Sequence, residues 1–113
     1  MLLAQITDLH VGAPGSGIDV HSDTATRLER AVRHLCSLEP RPDAVVCTGD
    51  LVHDGLPEEY ARLAGLLEQL PMPWYVVPGN HDDRENLRAT FAGRGYFPAQ
   101  GFLSYVVDLG PLR

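Results

Sequence analysis

Three short, largely apolar runs, each followed at once by a polar motif, constrain the fold of this chain more than any other feature. The runs cover residues 2–6, 44–47 and 74–77, and the motifs are Asp8-Leu9-His10, Gly49-Asp50 and Gly79-Asn80-His81-Asp82. Short apolar runs bounded by polar residues are typical of strands that are buried on both faces of a parallel sheet. The sequence therefore predicts three strands of a parallel sheet, and the continuous apolar run over residues 44–48 is the one expected to be buried on both faces.

The segments between the runs carry apolar residues at helical spacing, which predicts helices that alternate with the strands. After a loop over residues 11–21, a first helix begins at Ser22 or Asp23 and ends before residues 39–42. A second begins at Pro57 and a third spans residues 84–91, capped by Asp82 or Asp83. Asp82 and Glu85 fit a capping box. A last strand is predicted over residues 103–109, so the order is β-α-β-α-β-α-β with parallel pairing.

Size and composition limit the classes of protein to which the chain can belong. Its 113 residues allow one small domain, and a hydrophobic fraction of 44% is that of a globular protein. No apolar run approaches the roughly 20 residues of a membrane span. A net charge of −6 argues against a nucleic-acid polymer as partner. Nothing like a signal peptide precedes Asp8, so we expect a cytoplasmic protein with Cys36 and Cys47 as free thiols.

The polar motifs predict a site at one edge of the sheet. The carboxyl ends of parallel strands meet at one edge, where open α/β sheets bind their ligands. Carboxylates, imidazoles and an amide would meet there, and this set of donors suits divalent Mn, Fe or Zn. Taken singly, each residue could instead belong to a turn or a helix cap, but three such turns in this order by accident are improbable.

The three motifs in this order resemble the calcineurin-like metallophosphoesterase superfamily. Ile18-Asp19-Val20, the stretch over residues 41–46 and Pro57-Glu58-Glu59-Tyr60 resemble, within it, the bacterial class III cyclic-nucleotide and glycerophosphodiester phosphodiesterases. The resemblance extends from residue 1 to about residue 109. It implies the parallel-sheet half of a metallophosphoesterase α/β sandwich. It also implies hydrolysis of a small phosphodiester by a metal-activated water at a site with two divalent metal ions.

The resemblance also implies roles for single residues. Asp8 and His10 would bind the first metal ion, Asp50 would bridge both ions, and Asn80 would bind the second. His81 would be catalytic, as a proton donor or as a stabiliser of charge on the substrate oxygens. Two further residues are expected to be able to contact the substrate, namely His53 and Arg84. His53 stands where purple acid phosphatases carry a tyrosine ligand, which argues against that subfamily.

The end of the chain departs from the family pattern. The family also uses later histidines, and no histidine follows His81 in this sequence. We therefore expect residues 1–113 to be the N-terminal portion of a single metallophosphoesterase domain, truncated at the C-terminus. The alternative is a catalytically inactive domain that binds at most one metal ion and acts only as an interaction surface. A last strand without its hairpin partner would leave an open edge, which predicts homo-oligomers.

Overall fold

A computed structural model describes residues 1–98, 101 and 103–111 of the chain. Strands and helices alternate as predicted, and the elements are listed here in chain order. They are β1 (Leu3–Thr7), α1 (Gly17–Ser22), α2 (Thr24–Ser37), β2 (Ala44–Thr48), α3 (Pro57–Leu67), β3 (Trp74–Val77), α4 (Arg84–Phe91) and a 3-10 turn (Ala92–Arg94). The mixed α/β class and the three predicted strands are thereby confirmed.

The three strands form one parallel sheet in the order β1-β2-β3. Strand β2 lies in the middle, with Val46 paired to Gln5 on one side and to Tyr75 on the other. Val45 and Cys47 of β2 are fully buried, as an apolar central strand predicts. Burial raises the pKa of the Cys47 thiol to about 12. Both cysteines are free, which confirms that expectation.

The helices cover the sheet with the apolar stripes that the sequence predicts. Leu28 and Val32 of α2, and Leu63 and Leu67 of α3, are buried in one core with the central strand. Helix α4 adds Leu87 and Phe91, and the Phe91 ring meets that of Trp74 edge-on at 5.7 Å between centroids. Among the described residues, no helix is long and apolar enough to cross a membrane.

Two local predictions about helices are wrong. The predicted loop over residues 11–21 contains most of the short helix α1, whose N-cap Ser16 accepts a hydrogen bond from the Asp19 N–H. Helix α1 buries none of its six residues, so the sequence contains no apolar stripe from which this helix could be predicted. The N-cap of α4 is Asp83, whose carboxylate accepts from the Asn86 N–H. Asp82, the other predicted cap, makes different contacts, and no capping box with Glu85 forms.

The predicted last strand does not form over residues 103–108, which are irregular. The carbonyls of Pro73 and Val77 accept hydrogen bonds from Val45 of β2 and from Gly49 just after it, so the alternating Val76 carbonyl faces the open side of β3. The Tyr105 hydroxyl donates to that carbonyl at 2.6 Å, and its ring stacks on Tyr96 at 4.7 Å between centroids. A side chain therefore takes the place at the β3 edge where a fourth strand would have paired.

Candidate metal centre

Backbone pairing beyond the strand ends brings the first two motifs together. The loops after β1 and β2 continue side by side, because the Asp8 N–H donates to the Gly49 carbonyl at 3.2 Å and the His10 N–H to the Asp50 carbonyl at 2.9 Å. The Gly49 N–H donates to the Val77 carbonyl at 2.9 Å, which ties β3 to the same edge. The three motifs thus meet at one edge of the sheet.

Three side chains of the predicted site are carried on unusual backbone. Asp8, His10 and Asp50 have φ angles of 56°, 47° and 45°, in the left-handed region that few residues other than glycine adopt. Each such residue costs roughly 1–2 kcal/mol. Left-handed residues that are not glycine concentrate at functional sites, where the surrounding structure holds them in place. Asp23 also has a positive φ, as the N-cap of α2, but the three residues that meet at one edge of the sheet make that edge the candidate site.

The donor atoms of these three residues form one cluster. The potential ligand atoms of Asp8, His10 and Asp50 all lie within 4.8 Å of one another. His10 Nε2 is 4.0 Å from Asp8 Oδ1 and 3.7 Å from Asp50 Oδ2. The side chains of Asp8, His10 and Asp50 are 61%, 25% and 19% exposed, so the cluster opens to solvent. Two carboxylates and an imidazole at this spacing fit a divalent metal ion of the Mn, Fe or Zn type.

The third motif approaches Asp50 closely because residue 79 is a glycine. A Cβ atom at Gly79 would lie 2.3 Å from the Asp50 nitrogen and 2.8 Å from the Gly49 Cα, so no larger residue fits. The His81 N–H donates to Asp50 Oδ1 at 2.9 Å. This bond, aided by the rings of His81 and His10, holds the pKa of Asp50 below its ordinary value. Asn80, between Gly79 and His81, is exposed at the same edge.

A second group at this edge consists of three imidazoles. The rings of His10, His53 and His81 have centroids 4.8–5.6 Å apart. His81 Nδ1 lies 2.7 Å from the His53 carbonyl oxygen, and His53 Nδ1 lies 3.5 Å from His10 Nδ1. His53 is therefore one of three residues in a second group that could hold a metal ion. Its position three residues after Asp50 was the only sequence signal for this.

The remaining residues that the sequence singled out lie around the cluster. Arg84 is exposed at the start of α4 and lines a pocket of about 420 Å³ with Pro78 and Tyr105. Asp19 accepts from the Arg62 guanidinium at 2.9 Å and so links α1 to α3. The Gly15 N–H, together with Arg62, holds the pKa of Asp19 below its ordinary value.

Sequence analysis missed the part that Asp82 and Tyr60 play at this centre. The Asp82 carboxylate accepts hydrogen bonds from three backbone N–H groups and from the Tyr60 hydroxyl. Three of these four donors lie 22 to 31 residues away in sequence. The signal that could have pointed to Tyr60 was Pro57-Glu58-Glu59-Tyr60, which was used for the family resemblance and for the start of a helix but not for the site.

Comparison with known proteins points to one family. Three of the curated relatives are a probable glycerophosphodiester phosphodiesterase of Arcobacter nitrofigilis, a 3',5'-cyclic adenosine monophosphate phosphodiesterase of Pseudomonas aeruginosa and a glycerophosphodiester phosphodiesterase of Enterobacter lignolyticus. They are 34%, 33% and 40% identical to this chain over 100%, 100% and 74% of its length. The chain spans 41%, 39% and 30% of these relatives.

The profile of the calcineurin-like phosphoesterase family matches residues 1–110, which include all three polar motifs. The match covers nearly the whole chain. It agrees with the geometry described above, in which the three motifs meet at the strand ends. The chain belongs to the calcineurin-like phosphoesterase family.

Proposed function

We propose that this protein hydrolyses small phosphodiesters at a centre of two divalent metal ions. The observation that carries the proposal is the cluster of Asp8, His10 and Asp50, whose donor atoms lie within 4.8 Å on left-handed backbone at the strand ends. Relatives named as phosphodiesterases for cyclic nucleotides or glycerophosphodiesters support this class of substrate. The net charge of −6 favours a small substrate over a nucleic-acid polymer.

The residues of this chain divide between the two proposed ions. Asp8 and His10 would hold the first ion, Asn80 would hold the second through its amide oxygen, and Asp50 would bridge the two. When bound, ions of this kind lower the pKa of a coordinated water and neutralise charge on phosphoryl oxygens. The ions are Mn, Fe or Zn by the chemistry of the donors. Residues 1–113 would form the N-terminal portion of one catalytic domain, with further donors from sequence outside this chain.

His81 is suited to act on the leaving group. Its Nδ1 faces the His53 carbonyl at 2.7 Å, which can only accept, so that nitrogen carries a proton and Nε2 is the ring atom left for the substrate. In the imidazolium form, Nε2 would donate its proton to the departing alkoxide or stabilise charge on the phosphoryl oxygens. His81 is exposed, so a substrate can reach it. The His53 ring lies beside that of His81, and Arg84 lines a pocket with Asn80, so both are proposed to contact the substrate.

Hydrolysis of a chromogenic phosphodiester by the full-length protein in the presence of Mn²⁺ tests this function. We expect turnover that is abolished by a chelator and by Asp50→Ala, which should also lose bound metal because it removes the proposed bridge. Asp50→Asn should bind metal better than Asp50→Ala and still hydrolyse slowly. Glu68→Ala, at an exposed carboxylate just after α3, is the control and should behave as wild type. Normal turnover and metal content in Asp50→Ala would refute the proposal.

A further inference from the structure

The first turn of α3 and the residue after His81 are joined by a hydrogen-bond network that none of the proposed metal-binding roles includes. The Tyr60 hydroxyl donates to Asp82 Oδ1 at 2.9 Å and accepts from the Asp83 N–H at 2.9 Å. Tyr60 is fully buried, and its burial, together with the Asp82 carboxylate, raises the pKa of its hydroxyl above the ordinary value. The hydroxyl is therefore protonated at neutral pH and can donate to Asp82.

The Asp82 carboxylate binds the two loops that carry the proposed metal ligands. Oδ2 accepts from the Leu51 N–H at 3.0 Å and from the Gly79 N–H at 2.8 Å, and Oδ1 accepts from the Val52 N–H at 3.2 Å. Leu51 directly follows Asp50, and Gly79 directly precedes Asn80. One carboxylate thus fixes the distance between the loop of Asp50 and the loop of Asn80 and His81.

The hydrogen bonds to Asp82 hold a segment of strained backbone that carries a proposed metal ligand. Asp50 has a φ angle of 45°, and such a conformation persists only where its surroundings impose it. The bonds from Leu51 and Val52 to Asp82 hold the chain immediately after this strained residue. Groups that orient metal ligands from behind commonly change metal affinity by 10–100-fold when they are removed.

We propose that Asp82, held by Tyr60, is a positioning residue that sets the geometry of the metal ligands Asp50 and Asn80. The inference rests on the proposed function, because it assumes that these residues bind metal. Asp82 itself binds no metal ion in this proposal, since both of its oxygens are occupied by N–H and O–H donors. It neither caps α4 nor contacts the substrate.

Metal binding by Asp82→Asn in the full-length protein tests the proposal, with Asp83→Asn as the matched control. The amide would direct N–H donors at backbone N–H groups, so we expect Co²⁺ and Mn²⁺ to bind about ten-fold or more weakly than in wild type. The visible spectrum of the Co²⁺-loaded variant should also change, which a loss of stability alone would not produce. Asp83→Asn makes the same chemical change at the adjacent residue, whose carboxylate caps α4. This variant should leave both the metal affinity and the spectrum unaltered.

Tyr60→Phe provides a second test, because it removes one donor to Asp82 and adds no atom to the core. We expect a smaller loss of metal affinity in the same direction, of about three-fold. This variant decides the matter if Asp82→Asn fails to fold. Wild-type Co²⁺ affinity and spectrum in folded Asp82→Asn, or in Tyr60→Phe if only that variant folds, would overturn the proposal. Absence of Co²⁺ binding by the wild-type protein would instead refute the proposed function.

Discussion

At the scale of single residues, the centre is built from side chains that sit on unfavourable backbone. Asp8 has a φ angle of 56°, and its side chain is mostly exposed, with the Thr7 hydroxyl as its hydrogen-bond donor. Little packing is therefore lost when this side chain is shortened. The conformational cost of the residue should then be separable from its role in binding metal.

Replacing Asp8 with glycine or with alanine tests this separation. Both variants remove the carboxylate and should lose metal affinity to a similar extent. Glycine tolerates a positive φ and alanine does not, so Asp8→Ala should be less stable than Asp8→Gly by about 1 kcal/mol. Urea unfolding of both variants without metal measures the difference. Equal stability, or a more stable alanine variant, would mean that the left-handed backbone at this residue is not strained.

A second prediction for a single residue concerns pH. The pKa of Asp19 is lowered by the Gly15 N–H and by Arg62, so its ionised form is favoured in the folded state. A lowered folded-state pKa adds stability above the unfolded value of about 3.9, and this stability is lost as the pH falls through the folded value. Asp19→Asn should therefore be less stable than wild type at pH 7.

The same comparison at low pH provides the check. Unfolding midpoints in urea at pH 7, 5 and 3 should show the gap between wild type and Asp19→Asn narrowing toward the lowest pH. An unchanged gap at pH 3 would indicate that Asp19 acts through its shape and hydrogen bonds alone. Arg62→Met removes the partner charge and should show the same trend with a smaller amplitude, since the Gly15 N–H remains.

At the scale of secondary-structure elements, the sequence predicts those elements whose buried side chains form an apolar run or an apolar stripe in the sequence. The apolar run of β2 and the stripes of α2 and α3 identified them, because their side chains pack into the core. Helix α1 left no such pattern, and the alternation around Tyr105 suggested a strand where a side chain occupies the sheet edge instead. Asp82 was misassigned because three of its four hydrogen-bond donors are brought near only by the folded chain.

The burial of β2 makes a prediction about thiol chemistry. Cys47 is fully buried with a pKa of about 12, whereas Cys36 on α2 is partly exposed. At pH 8 the Cys47 side chain is therefore almost entirely in the thiol form, whereas the thiolate is the form that reacts. A disulfide reagent should therefore modify one thiol quickly in the native protein and the second only after unfolding. In the variant Cys36→Ser, Cys47 is the remaining thiol. Rapid reaction of this variant with the disulfide reagent in its native state would contradict the burial of β2.

At the scale of the whole molecule, the number of metal donors on this chain limits what it can bind alone. Among the described residues, Asp8, His10 and Asp50 offer three protein donors for the first proposed ion, whereas Asp50 and Asn80 are the two assigned to the second. The imidazoles of His53 and His81 lie nearby, but His81 Nδ1 faces the His53 carbonyl. The chain spans 41% and 39% of the length of two relatives, and the proposed function places further donors in sequence outside this chain.

We therefore predict that the 113-residue chain by itself binds at most one divalent ion, weakly, and hydrolyses phosphodiesters slowly or not at all. Three donors can retain a divalent ion against water, but two on a solvent-exposed edge leave most coordination positions to water. Dialysis against Mn²⁺ followed by metal analysis gives the stoichiometry, and a chromogenic phosphodiester gives the rate. Asp8→Ala should remove the single ion, whereas Asn80→Ala should leave it bound. Two tightly held ions and rapid turnover would show that the imidazoles, or a second copy of the chain, complete the centre.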